Sequence, residues 1–123
     1  MAQLITTTAR SYTTGIPGRC ISAARHHHIV MDDADYSGGP NEALTAAEAF
    51  LTGITACAVL MLERLARADG LPLRDTEVEI EATRDRQAHG ERHTVYDSVR
   101  MRFRLGGVSR EQAEELVSTY QRR

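Results

Sequence analysis

A chain of 123 residues is long enough for one domain with its own core, without metal or disulfide staples. A formal net charge of −2 and a sequence pI near 6.2 leave no bulk electrostatic pull toward nucleic acid or an anionic membrane. The two cysteines, Cys20 and Cys57, lie 37 positions apart, which suits neither a disulfide framework nor a paired metal-ligand spacing. All fifteen basic residues are arginine, scattered along the chain and balanced by seventeen acids, so their usage reads as coding bias. No secretory signal opens the chain, and a cytoplasmic protein is expected.

Residues 4–14, LITTTARSYTT, are rich in threonine and β-branched residues and predict a strand. Gly15, Pro17 and Gly18 mark a turn. A second extended run, Arg19 to Met31, alternates Ile21, Ala23, Ile29 and Met31 with Ser22, Ala24, His26 and His28. The N-terminal strands are thus expected over residues 4–31. Asp32, Asp33, Asp35, Gly38, Gly39 and Pro40 follow as an acidic, glycine-containing loop.

The next stretch organises the rest. Leu44, Ala47, Leu51, Ile54, Ala58, Met61 and Leu65 recur at alternating steps of three and four, which predicts a central helix over residues 45–69. Phe50, Val59, Leu60 and Leu62 make most of its remaining surface apolar, so it is expected to be buried nearly all round. At about 1.5 Å per residue it spans ~35 Å, long for a domain of this size, and a second subunit is expected to cover part of it. Thr45 and Glu48 form a capping-box pattern, and Gly70 and Pro72 close the helix. Thr52, Gly53, Thr55, Glu63 and Arg64 interrupt or end the apolar run, which reads as too short and too polar at its edges to span a membrane.

Beyond the helix, Val78, Ile80 and Ala82 alternate with Glu77, Glu79 and Glu81, and Val99, Met101, Phe103 and Leu105 alternate with Ser98, Arg100, Arg102 and Arg104. These runs predict a hairpin over residues 76–105 whose outer face sets glutamates against arginines, across a polar loop from Arg84 to His93. Ser109 and Gln112 open a C-terminal helix, residues 110–121, with Ala113, Leu116, Val117 and Tyr120 on one side. The order is α+β: an antiparallel sheet packed on a long helix.

The N-terminal strand pair, the Asp-Asp loop leading to Gly38-Gly39-Pro40, the helix opening TAAEAFL, the Ala56-Cys57 pair, the Gly70-Leu71-Pro72-Leu73 exit and the hairpin occur in an order that resembles the osmotically inducible protein C and organic hydroperoxide resistance family. The resemblance implies an intertwined homodimer in which strands of both chains wrap two central helices. It also implies thiol peroxidase chemistry: a helix cysteine attacks an organic hydroperoxide, an arginine and a glutamate hold its thiolate, and a second cysteine after the last helix resolves the sulfenic acid. Cys57 takes the nucleophile's place. Arg19, just after the Gly15–Gly18 turn, best fits the arginine, and Arg25 is the other choice. Phe50, Ile54 and Met61 would shape an apolar substrate site.

Three positions depart from that pattern. Leu44 and Ala46 stand where the family carries helix-opening prolines. The family's glutamate, ten residues before the cysteine, is Ala47 here. The acid present, Glu48, lies nine before it, about 180° around the helix and ~13 Å along, so it cannot touch Cys57; it reads first as a cap, and a catalytic role is its other reading. The second cysteine would follow Arg123, so the expectation is either an external thiol as resolving partner or a resolving residue beyond that point.

Read from residues alone, Cys57 is a small buried hydrophobe, and only the resemblance sets the nucleophile reading level with that one. His26 and His28 share a strand face, and His89 or His93 could add a third nitrogen to a zinc site. Without paired-cysteine or HExxH spacing, the histidines read as solvated or half-buried strand residues, and no metal or cofactor is expected. The functional expectation is thiol-dependent reduction of organic hydroperoxides. The competing expectations are a non-catalytic dimer that binds a small apolar molecule and a purely structural dimer.

Overall fold

Period-two alternation and two capping boxes account for most of the architecture. In the computed structural model, which describes residues 2–85, 87 and 96–122, the order is β1 (Arg10–Thr13), β2 (Arg19–Ala24), β3 (His27–Asp32), a 3-10 turn (Asp35–Ser37), α1 (Ala46–Ala68), β4 (Asp75–Thr83), β5 (Ser98–Gly106) and α2 (Arg110–Gln121). The fold is α+β, with antiparallel sheets and one long helix. It divides into two compact units, Met1–Phe50 and Leu51–Arg123.

The first unit holds the antiparallel sheet β1-β2-β3. Two expectations are corrected here. The strand expected from residue 4 begins only at Arg10, because β2 ends at Ala24 and Arg10 already pairs with Ala23. Residues 4–9 therefore run past the end of their partner. The run Arg19 to Met31 is two strands rather than one: Ala24 pairs with His27 across a two-residue turn, and Arg25 takes the positive φ of 56° that this reversal needs. Arg25 is thus a turn residue instead of a strand residue in phase with Ile21 and Ala23. His26 leaves the strand with it and no longer shares a strand face with His28. His89 and His93 lie outside the described residues, and among the described residues no group of three His, Cys, Asp or Glu side chains could hold a metal ion.

Helix α1 starts at Ala46 because both halves of the capping box form: the Glu48 amide donates to Thr45 Oγ1 at 3.1 Å and the Thr45 amide donates to Glu48 Oε1 at 2.9 Å. It stops in a Schellman arrangement, the Gly70 amide donating to the Arg67 carbonyl and the Leu71 amide to the Ala66 carbonyl, with Gly70 at φ 66°.

In the second unit Glu77, Glu79 and Glu81 stand opposite Arg104, Arg102 and Arg100, and Val78, Ile80 and Ala82 opposite Phe103, Met101 and Val99. From this row Val78 and Phe103, with Leu105, pack with Leu62 and Ala66 of α1 and Leu116 of α2 in a cluster that includes Leu71, Leu73 and Tyr120. The Phe103 and Tyr120 rings meet edge-on at 5.8 Å. α2 opens at Ser109 with its own capping box to Gln112.

The expectation of a helix buried nearly all round does not hold for a single chain. Only Ala58, Leu62 and Ala66, one stripe at steps of four, are buried, while Phe50 is 64% and Leu60 55% exposed. Leu51, Ile54, Val59, Met61 and Leu65 are only half-buried. Nor is the helix too short for a membrane: its 23 residues, with a mean hydropathy of 1.6 in the most apolar window, meet the length and composition of a span. The stripe packed against the hairpin and α2 nonetheless fits the core helix of a globular fold.

Candidate functional site

Arg19 and Asp32 are brought together by the β2–β3 register, in which they are a directly opposed pair. The guanidinium grips the carboxylate with two parallel bonds, Nε to Oδ1 at 2.7 Å and Nη2 to Oδ2 at 2.9 Å. Nη2 also donates to Glu42 Oε1 at 3.3 Å. Asp32 Oδ2 accepts the Glu42 amide at 3.0 Å, and the Asp32 amide donates to the Leu44 carbonyl at 2.9 Å. The Asp32 side chain is fully buried, and Arg19 keeps 23% of its side chain exposed.

This geometry fixes the charge states. The hydrogen bond from Arg19 holds the Asp32 carboxyl down at about 2, against the opposing effect of burial and helped by the Glu42 amide. The hydrogen bond to Asp32 likewise raises the Arg19 pKa above its ordinary value. Arg19 lines a pocket of about 260 Å³ with Thr13, Gly18, Met31, Asp33 and Ala46.

Cys57 lies midway along α1 with its side chain exposed. Phe50, Ile54 and Met61 stand at −7, −3 and +4 from it, the spacing of one helix face, Phe50 exposed and Ile54 and Met61 half-buried. Its neighbour Ala58 is completely buried, so Cys57 sits at the border between packed and uncovered surface. Cys20, the other cysteine, is half-buried on β2.

Of the residues singled out from sequence, Arg19 sits in an ion-pair cluster, Arg25 in an exposed hairpin turn, and Glu48 in the helix cap. Cys57, Ile54, Met61 and Phe50 share one face of α1. Sequence reasoning missed Asp32 and Glu42 as partners of Arg19. A signal existed: a two-residue turn at Arg25-His26 sets Arg19 opposite Asp32 by counting alone. Without a glycine or asparagine, Arg25-His26 carries no local turn signature.

A family described as OsmC-like protein matches residues 39–123 of the chain. Among solved structures, the fold is similar to an OsmC-like protein from Mycoplasma pneumoniae, with a TM-score of 0.82 and 11% identity over 97% of this chain and 82% of that one. It is also similar to a putative organic hydroperoxide resistance protein from Vibrio cholerae, solved with captopril bound in one of its active sites, with a TM-score of 0.62 and 17% identity over 97% of this chain and 79% of that one. No curated protein matches the chain.

Proposed function

The chain belongs to the OsmC-like protein family, and from that premise we propose that it reduces organic hydroperoxides with electrons from a thiol, with Cys57 as the nucleophile. The observation that carries this reading is the exposed Cys57 on an otherwise apolar face with Phe50, Ile54 and Met61. Such a face favours an aryl or lipid-like hydroperoxide over hydrogen peroxide.

The chemistry balances with groups named here. The Cys57 thiolate attacks the outer oxygen of ROOH, an S–O bond forms and the O–O bond breaks. The alkoxide leaves and takes a proton to become ROH, and the sulfur is left as a sulfenic acid. An external thiol then attacks that sulfur, releasing water and forming a mixed disulfide. A second thiol attacks the mixed disulfide, so that Cys57 returns as the thiol and the two reductant sulfurs leave joined. A cytoplasmic site of action goes with this reading, since thiol reductants are kept reduced there.

A homodimer belongs to the same proposal, because Phe50 and Leu60 of α1 stay 64% and 55% exposed, and exposed apolar surface of this kind marks interaction sites. Incubated with cumene hydroperoxide and dithiothreitol, the protein is expected to consume thiol, and Cys57→Ser to abolish that consumption. No consumption by the wild type, or equal consumption by Cys57→Ser, sinks the reading.

One observation favours a second reading, non-catalytic binding of a small apolar molecule. Arg19, the arginine assigned to the thiolate, already holds Asp32 and Glu42, and Ala47 stands where the family's glutamate would be. On that reading iodoacetamide alkylates native Cys57 no faster than a cysteine in an unstructured peptide.

A further inference from the structure

The reversal at Arg25-His26 does more than separate His26 from His28. It sets the ring of His26 beside that of His27, with centroids 5.6 Å apart and planes tilted by 47°. Both side chains are exposed, and no hydrogen bond or ion pair to another described residue occupies their ring nitrogens.

The rest of the hairpin fixes this arrangement. Ala24 and His27 close the ladder as a directly opposed pair, and Arg25 holds the positive φ that the two-residue turn requires. Successive side chains alternate along β3, so His28, opposite Ala23, belongs to the other face of the sheet from His27. Of three consecutive histidines the fold therefore pairs two and leaves the third aside.

The distance decides what the pair can do. A metal about 2.0–2.1 Å from an imidazole nitrogen lies ~3.2 Å from the centre of that ring. Two rings on one ion then have centres between ~4.5 Å, when cis, and ~6.4 Å, when trans. The observed 5.6 Å falls inside that range. Among the described residues no third His, Cys, Asp or Glu side chain joins the two, so the closed four-ligand arrangement of a structural zinc site is not available and water completes the coordination.

The donor set also selects the ion. Two imidazole nitrogens without a carboxylate suit neither Mg²⁺ nor Ca²⁺, which take oxygen ligands. Among divalent ions that accept imidazole, Cu²⁺ stands highest in affinity, and its tetragonal geometry takes nitrogen and water together. Arg25, directly before His26, adds a positive charge that penalises every divalent cation and so favours the strongest binder. We propose that His26 and His27 form a surface Cu²⁺ site at the tip of the β2–β3 hairpin, with His28 outside it. This site is independent of the peroxidase reading.

Titration with copper(II) sulfate tests it, followed by calorimetry and by electron paramagnetic resonance. Cys20→Ser/Cys57→Ser protein is used so that no thiol contributes. The expected signal is Cu²⁺ with two imidazole nitrogens. His26→Ala and His27→Ala are each expected to weaken binding at least about tenfold, as loss of one of two linked ligands does. His28→Ala is expected to leave binding unchanged. All three positions are exposed, and circular dichroism checks that each variant folds. Unchanged binding in His26→Ala, or a loss in His28→Ala as large as that in His27→Ala, overturns the pairing. No Cu²⁺ signal with two imidazole nitrogens in the parent protein overturns the site itself, and zinc sulfate binding as tightly as copper(II) sulfate overturns the choice of ion.

Discussion

Leu60→Ala asks whether a second chain covers the open side of α1. Leu60 is 55% exposed in one chain, so less than half of its side chain is buried there. Burying a whole leucine contributes about 1.5–3 kcal/mol, so truncation in a lone chain is expected to cost about 1 kcal/mol. If a partner chain completes the burial, each copy instead loses ~2–5 kcal/mol. The excess of at least ~1 kcal/mol per copy counts twice in a dimer and weakens association more than tenfold. Concentration gives an independent reading. A hundredfold rise in protein stabilises a dimer by about 2.7 kcal/mol. With an unfolding entropy near 2.1 cal/mol/K per residue over two 123-residue chains, that raises Tm by about 5 °C. Sedimentation equilibrium gives the dissociation constants, and calorimetry over a hundredfold concentration range gives the Tm shift. A wild type that sediments at 13.6 kDa with a concentration-independent Tm, and a Leu60→Ala loss no larger than about 1 kcal/mol, refutes the covered helix.

Leu62→Ala, at a fully buried position of the helix–hairpin core, is expected to cost ~2–5 kcal/mol in urea unfolding, well above any lone-chain effect at Leu60. Thr45→Ala removes the oxygen that accepts the Glu48 amide and is expected to cost about 1 kcal/mol, whereas Glu48→Gln keeps the box and leaves thiol consumption unchanged, which a peroxidase assay checks. Asp32 has a folded pKa near 2, below its unfolded value of about 3.9, so its contribution to stability is complete above the unfolded pKa and disappears as pH falls toward 2. Acid titration of unfolding should therefore show a smaller loss of stability between about pH 4 and 2 in Asp32→Asn than in wild type. A Cβ on Gly39 would run into the carbonyl of Asp33, so Gly39→Ala is expected to cost more than about 2 kcal/mol in thermal unfolding.

The parts legible in the sequence are those written in local chemistry. Thr45 with Glu48 and Ser109 with Gln112 each name both partners of a capping box within four residues, so the helix starts could be read directly. The alternation of Glu77, Glu79 and Glu81 and of Arg100, Arg102 and Arg104 likewise carries its own register, because a slip by one residue would turn the glutamates toward the core. What was not legible depends on a choice the local residues leave open. The Arg19–Met31 run satisfies strand propensity whether it stays straight or folds back, and the deciding residue, Arg25, is an ordinary arginine in an uncommon φ.

That single turn decides the candidate site. Once the chain reverses at Arg25-His26, Arg19 must face Asp32, and an acid that reads as part of a solvated loop becomes the buried partner of the arginine. The reversal also removes Arg25 from any strand position and ends the pairing of His26 with His28. Helix α1 misled in the opposite direction, for a physical reason of the same kind. Apolar periodicity records how much surface must leave water, not which chain provides the cover. A helix apolar on all sides with one buried stripe at Ala58, Leu62 and Ala66 has more surface to hide than its own hairpin and α2 accept. Cys57 lies on the border of that unmet surface. On the proposed reading, a second chain laid over α1 shapes the space beside Cys57 that a hydroperoxide enters, which ties the substrate question to the Leu60→Ala measurement.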